Sequence, residues 1–320
     1  MAAQLNWKDR LERLEAAVNQ RSRSPAAKRW LLGTSLLVFV VVSAISFATL
    51  PPDTQWHWWI VAVLVLVTTP LTLVANAAEY RAMAAISGHR VSWPDAARLS
   101  VMASAANLLP IPGGVMVRTQ ALRREGTTYK RALAANAAAG IAWIAMGCIA
   151  AGGLLLFRSG TEPAGGVLLA VAVVSLAAVW VLLRRAHRTL AHRHLGRLFV
   201  VELFTVMISS VRLYLAFMVL GQTIEPVQAV ALSASMIIAA AIGIFPGGLG
   251  LRELLAGAIG VAVGLTAAES VAATAVDRIA AQLGLAIMAA VMLGTHAPGR
   301  PSSEPPEQPA DPEIDRPKDG

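Results

Sequence analysis

The chain has 320 residues, 56% of them hydrophobic and 14% charged, with a formal net charge of +8. Soluble domains carry about 25% charged residues, so this balance excludes an ordinary soluble fold. The Lys and Arg sit mostly in short segments between apolar runs, which excludes a nucleic-acid-binding stripe and reads as the positive-inside pattern of a membrane protein.

Residues 1–29 carry Trp7, Leu11, Leu14 and Val18 at helical spacing among Lys8, Arg10, Glu12, Arg13 and Glu15. This segment reads as a cytoplasmic amphipathic helix on the membrane surface, or as a short coiled-coil contact. No cleavable signal is expected, because the charged stretch is about 29 residues long before the first apolar run. The first span is expected over Trp30–Leu50. A loop without Lys or Arg follows, with Trp56, Trp58 and Trp59 as an interfacial belt, so it faces out. The second span runs from Trp58 to Glu79, with a kink expected at Pro70. Arg81 and Arg90 put the next loop inside.

Ala96–Pro112 is short for a span and has basic flanks on both sides, Arg90 and Arg98 before it, Arg118, Arg123, Arg124, Lys130 and Arg131 after it. A re-entrant hairpin turning at Pro112, Gly113 and Gly114 satisfies both flanks. A span over Ala132–Phe157 goes out, and one over Gly165–Leu183 returns to an Arg-rich loop, Arg184–Arg197. Leu198–Leu220 goes out again. Val227–Phe245 is read as the descending arm of a second hairpin, entering from outside and turning at Pro246, Gly247 and Gly248. Ala268–Leu293 is the last span. Residues 296–320 are acidic, Pro-rich and expected to be disordered.

The two turns share a motif. Pro112-Gly113-Gly114-Val115-Met116-Val117-Arg118 recurs as Pro246-Gly247-Gly248-Leu249-Gly250-Leu251-Arg252. Broken backbone at membrane depth is tolerated only where it is buried in protein or lines a cavity. The predicted fold is therefore an all-α polytopic membrane protein, about six transmembrane helices plus two re-entrant helical hairpins, in a domain of residues 30–295. Its repeats cover about 30–157 and 164–295. Three crossings per repeat is odd, so the second copy is inverted, which puts a substrate site at the repeat interface. Both termini are then cytoplasmic and the chain is a multi-pass protein of the cell membrane.

Ionisable groups inside spans are costly and point to function. The candidates are Asn107, Arg118, Glu202, Arg212, Arg252, Glu253, Asp277 and Arg278. Helix starts after Gly114 and Gly248 would present positive dipole ends to a phosphate or carboxylate, with Arg118 and Arg252 one turn further in. Each has a plainer reading. Arg118 is also placed as an anchor, Asn107 as a helix cap, Glu202 as reaching back to the interface, and the two charged pairs as mutual neutralisation. His187, His192 and His194 sit among Arg side chains, so no metal is expected. Cys148 stands alone, and no nucleotide-binding or hydrolase motif occurs, so neither a cofactor nor an enzymatic activity is expected.

Asn107-Leu108-Leu109-Pro110-Ile111-Pro112-Gly113-Gly114, with Phe245-Pro246-Gly247-Gly248-Leu249-Gly250-Leu251-Arg252-Glu253, resembles the lysylphosphatidylglycerol synthetase transmembrane-region family. Asp277-Arg278 is similar to that family's late polar-plus-Arg pair. In the corresponding place of the first repeat, where the family usually carries Glu-Arg, this chain has Ala139-Gly140. No stretch outside the apolar runs has the length of a synthetase domain. The resemblance implies translocation or handling of an anionic or aminoacylated phospholipid, or of a polyprenyl-phosphate-linked lipid, without aminoacyl transfer. Arg118, Arg252, Glu253, Asp277, Arg278 and Asn107 would meet the head group. Two other classes stay open: an ion-coupled small-solute transporter, and a non-transporting partner of a separate lipid-modifying enzyme.

Overall fold

The computed structural model describes residues 25–52, 54–107, 113–157, 160, 162–186, 192–242 and 248–294. The amphipathic segment before residue 25, the acidic tail, His187 and the turn residues Pro112, Pro246 and Gly247 lie outside them. Among the described residues there are ten helices and no strand. They are α1 (Pro25–Ala48), α2 (Trp58–Ile86), α3 (Trp93–Ala106), α4 (Gly113–Arg124), α5 (Tyr129–Leu156), α6 (Glu162–Ala186), α7 (His192–Val219), α8 (Pro226–Ile242), α9 (Leu251–Ala262) and α10 (Ala267–Gly294). Five of them, α2, α5, α6, α7 and α10, are long and apolar enough to cross a membrane. The chain is an all-α polytopic membrane protein.

Each half has the same order: two long helices, two short ones, one long one. The short helices α3 and α4 have 14 and 12 residues, and α8 and α9 have 17 and 12. At 1.5 Å per residue the longest of these is about 26 Å, less than a hydrocarbon core of about 30 Å. The packing is also symmetric between halves. α3 lies on α4 as α8 lies on α9, α4 on α5 as α9 on α10, and α5 on α6 as α10 on α1. The α1–α9 packing has no counterpart of comparable extent.

The equivalent helices α2 and α7 pack against each other and run antiparallel. His57, just before α2, donates its backbone N–H to the Val219 carbonyl at the end of α7, 2.9 Å away. Ile60 and Leu64 pack in one cluster with Leu213, Phe217 and Leu220, while Met83 and Ile86 share another with Leu195 and Leu198. The hairpins sit at opposite ends of this pair. His89 and Gly126, flanking α3–α4, approach each other at the end of α2. Gln228 at the start of α8 donates to the Val263 carbonyl after α9 at 3.0 Å, on the side where α2 begins.

One sequence expectation is corrected. The second span does not end at Glu79 but continues to Ile86, because Tyr80, Ala82, Met83, Ala84 and Ile86 bury into the core beside α5 and α7. At Pro70 the helix widens into a π-helical turn over Leu64–Thr68. Proline has no N–H for the Leu66 carbonyl four residues back, and just before it the Thr69 N–H converges on the Leu64 carbonyl with the Thr68 and Thr69 hydroxyls, which donate at 2.8 and 3.0 Å.

Lipid tails are as apolar as Leu, so helix association in a membrane relies on close packing of small residues. The core around α5 is built from Ala132, Ala135, Ala138, Ala139 and Ala142. At the α5–α6 contact, a Cβ on Gly165 would stand 2.9 Å from the Gly152 carbonyl oxygen. Gly165→Val should therefore push α5 and α6 apart and cost about 1–3 kcal/mol, read as a lowered thermal midpoint in detergent, whereas Gly166→Val, which meets nothing within 4 Å, should not.

Candidate functional site

The buried charge of the second half is built from adjacent residues on two helices. α9 begins at Gly250, whose φ of +78° is reserved in practice for glycine. A Cβ there would also meet the Val38 side chain of α1 at 2.7 Å. Three residues on, Glu253 turns one carboxylate oxygen back to accept the Gly250 N–H at 2.9 Å, as a residue in the first turn of a helix does. Its other oxygen accepts from Arg278 Nε at 2.7 Å. Arg278 also donates to the Gly248 carbonyl at 3.1 Å and stacks its guanidinium 5.7 Å from the Phe39 ring centre.

The neighbouring residues form a second, crossed pair. Arg252 donates to Asp277 Oδ2 at 2.6 Å. Asp277 Oδ1 accepts from Arg212 Nε at 2.8 Å and lies 2.7 Å from its terminal nitrogen. Arg212 reaches further, to the Asp277 carbonyl at 3.1 Å and to the Thr69 and Thr72 hydroxyls at 3.3 and 3.5 Å. α1, α2, α7, α9 and α10 thus converge on one network. All five charged residues are buried, Glu253 completely and the three arginines to 6–7% exposure. Three guanidiniums face two carboxylates, and the positive end of α9 adds to that excess. Arg252 Nε is buried without a hydrogen-bond partner.

The first hairpin carries a smaller set. Asn107 closes α3 and accepts the Gly114 N–H on its side-chain oxygen at 2.8 Å, so it caps the start of α4. Arg118 is paired with Glu79 of α2 at 2.7 Å, with both side chains only 12–17% exposed. In the first half Thr119 stands at the place of Glu253, and its hydroxyl accepts at 3.2 Å from Asn136, one turn before Gly140 at the place of Arg278. Glu202 of α7 does not reach back to an interface. It is 2% exposed, lies within electrostatic reach of Glu79 and Arg118, and its Oε1 has no hydrogen-bond partner. Its place one turn into the apolar run from Leu198 reads in the chain as a snorkelling position, but the side chain is buried inside the bundle.

The structure therefore brings Arg252, Glu253, Asp277 and Arg278 together and adds Arg212 to them. It places Asn107 and Arg118 in a separate set at the other hairpin. Glu79, Thr69 and Thr72 were not singled out in the sequence. A signal existed: Glu79 and Arg212 stand 133 residues apart, close to the 134 that separate Pro112 from Pro246. The same spacing of 133 relates Thr69 to Glu202 and Thr72 to Thr205, and it is these equivalent positions that face one another across α2 and α7.

A family model described as lysylphosphatidylglycerol synthase TM region matches residues 29–289. The chain belongs to this family. The match spans both hairpins, all the buried charges described above, and most of α10, and it makes this a lipid-related membrane protein. A search among curated proteins finds no match.

Proposed function

We propose that this family member binds the phosphate-bearing head group of a membrane lipid and moves it between leaflets. The observation that carries the reading is the buried cluster at the start of α9. It holds one more guanidinium than carboxylate, and an arginine N–H there lacks a partner. An unbalanced charge is expensive in a low-dielectric interior, and a phosphate supplies both the missing negative charge and the acceptor for bidentate Arg contacts. On this reading both hairpins are re-entrant from opposite leaflets, with the termini in the cytoplasm. Head groups cross along the α2–α7 pair, between the two hairpins, and tails stay in the lipid beside the bundle. In the present conformation the arginines are closed off, so the α8–α9 hairpin shifts against α1 and α10 to admit the head group.

An anionic or aminoacylated phospholipid and a polyprenyl-phosphate-linked lipid share the phosphate that this cluster fits. Purified protein in liposomes holding a fluorescent phosphatidylglycerol, a lysylated analogue or a polyprenyl phosphate tests the proposal. Wild-type protein should speed exchange of at least one probe between leaflets. Arg252→Ala should slow it by about tenfold or more, the equivalent of losing one charge-assisted contact worth about 1.5–3 kcal/mol. No stimulation by the wild-type chain with any of the three would sink it. Gradient-sensitive uptake of a small solute without lipid exchange would support a solute transporter instead.

A further inference from the structure

The charge balance of the first hairpin is the reverse of the second. Glu79 of α2 is paired with the Arg118 guanidinium of α4, and the buried Glu202 of α7 lies within electrostatic reach of both. Glu79 holds that guanidinium at 2.7 Å, which leaves Glu202 Oε1 buried and without a partner. Among the described residues, the elements around α7 offer no further positive charge to this spot. α8 has no ionisable residue, and the buried stretch of α5 carries only the half-buried Cys148. Lys130 and Arg131 lie exposed in the first turn of α5. On α10, Asp277 is held by Arg212 and Arg252, and Arg278 by Glu253. Tyr80, beside Glu79, is buried and within electrostatic reach of Arg118 and of the exposed Glu125 at the end of α4.

An isolated carboxylate in such a place is neutralised rather than left charged. Among the described residues no three His, Cys, Asp or Glu side chains converge as a metal cage would require. A proton needs only the one free oxygen.

We propose that Glu202, set against the Glu79–Arg118 pair, is a proton-binding site of this protein, and that its protonation drives the movement of the head group bound at the second hairpin. The proton comes from water, forms an O–H bond on Glu202 and leaves by the reverse step. Release leaves two carboxylates competing for Arg118, which loosens α4 from α2. Glu79 and Arg212 occupy equivalent positions on the antiparallel α2–α7 pair, about 15 Å apart along it, so a shift of α4 against α2 is transmitted along the same helix to Thr69 and Thr72, which hold Arg212. The proton site stands on its own geometry, while the coupling rests on the lipid reading above.

The full chain in lipid nanodiscs, studied by infrared spectroscopy at neutral pH, tests the site without any transport. A protonated-carboxyl band is expected in the wild type, lost in Glu202→Gln and shifted in frequency but retained in Glu202→Asp. Absence of the band in the wild type, or its persistence in folded Glu202→Gln, overturns the proposal. Should Glu202→Gln fail to fold, an unshifted band in Glu202→Asp overturns it equally. In liposomes with the fluorescent phosphatidylglycerol, an imposed pH gradient should speed wild-type exchange and leave Glu202→Gln unaffected. An equal response of both proteins overturns the coupling. A Glu202 band without any lipid exchange would retain the proton site and discard the lipid reading.

Discussion

Asp277→Ala should be among the most damaging single substitutions in this chain, lowering stability by about 3–5 kcal/mol. Its carboxylate is the common partner of Arg212 and Arg252, from two different helices, at 2.6–2.8 Å. Removing it leaves three arginines around one carboxylate, with nearly no solvent to compensate. The cost is that of two stranded guanidiniums rather than the worth of one ion pair, so it should fall when one of them is removed as well. Asp277→Ala combined with Arg252→Ala should be more stable than Asp277→Ala alone. Thermal unfolding in detergent, with a ligand-free background, measures the cycle. Simple additivity of the two substitutions would show that the network is not shared as described.

Glu253→Ala should come next, at a similar cost of about 3–5 kcal/mol, because this fully buried side chain does two tasks. It neutralises Arg278 and it accepts the Gly250 N–H that starts α9. The two tasks separate in Glu253→Gln. The amide oxygen can still take the Gly250 N–H, so the helix start is kept, while the charge opposite Arg278 is lost. Glu253→Gln should therefore retain about 1 kcal/mol more stability than Glu253→Ala, the usual worth of a helix cap. An exchange of the charges, Glu253→Arg with Arg278→Glu, should not restore the wild type. The swapped arginine cannot accept the Gly250 N–H, and the swapped glutamate cannot donate to the Gly248 carbonyl. Arg118→Ala should be milder than either, since the Arg118–Glu79 pair keeps 12–17% exposure and is partly screened.

The contrast between the hairpins gives the bundle a polarity. The second hairpin gathers more guanidiniums than carboxylates and the first more carboxyl groups than guanidiniums, on equivalent positions of antiparallel helices. On the proposed function, a phosphate-bearing head group would meet attraction beside the middle of α2 and a titratable carboxylate about 15 Å further along the α2–α7 pair. The two halves are joined at this network: Thr69 and Thr72 of the first repeat hold Arg212 of the second.

Much of this was legible in the chain alone. Apolar runs of spanning length, basic loops and the repeated Pro-Gly-Gly determined the class and the order of long and short helices, because those features are local and a bilayer leaves the backbone little choice beyond helix. The neighbours Arg252-Glu253 and Asp277-Arg278 announced themselves as charges inside apolar runs. Only the tertiary structure decided who pairs with whom: the crossing of those pairs, the entry of Arg212, the burial of Glu202, and the extension of α2 that brings Glu79 inside. These depend on the antiparallel packing of α2 against α7, which sets residues more than a hundred positions apart at hydrogen-bonding distance, and no periodicity within either helix encodes that register.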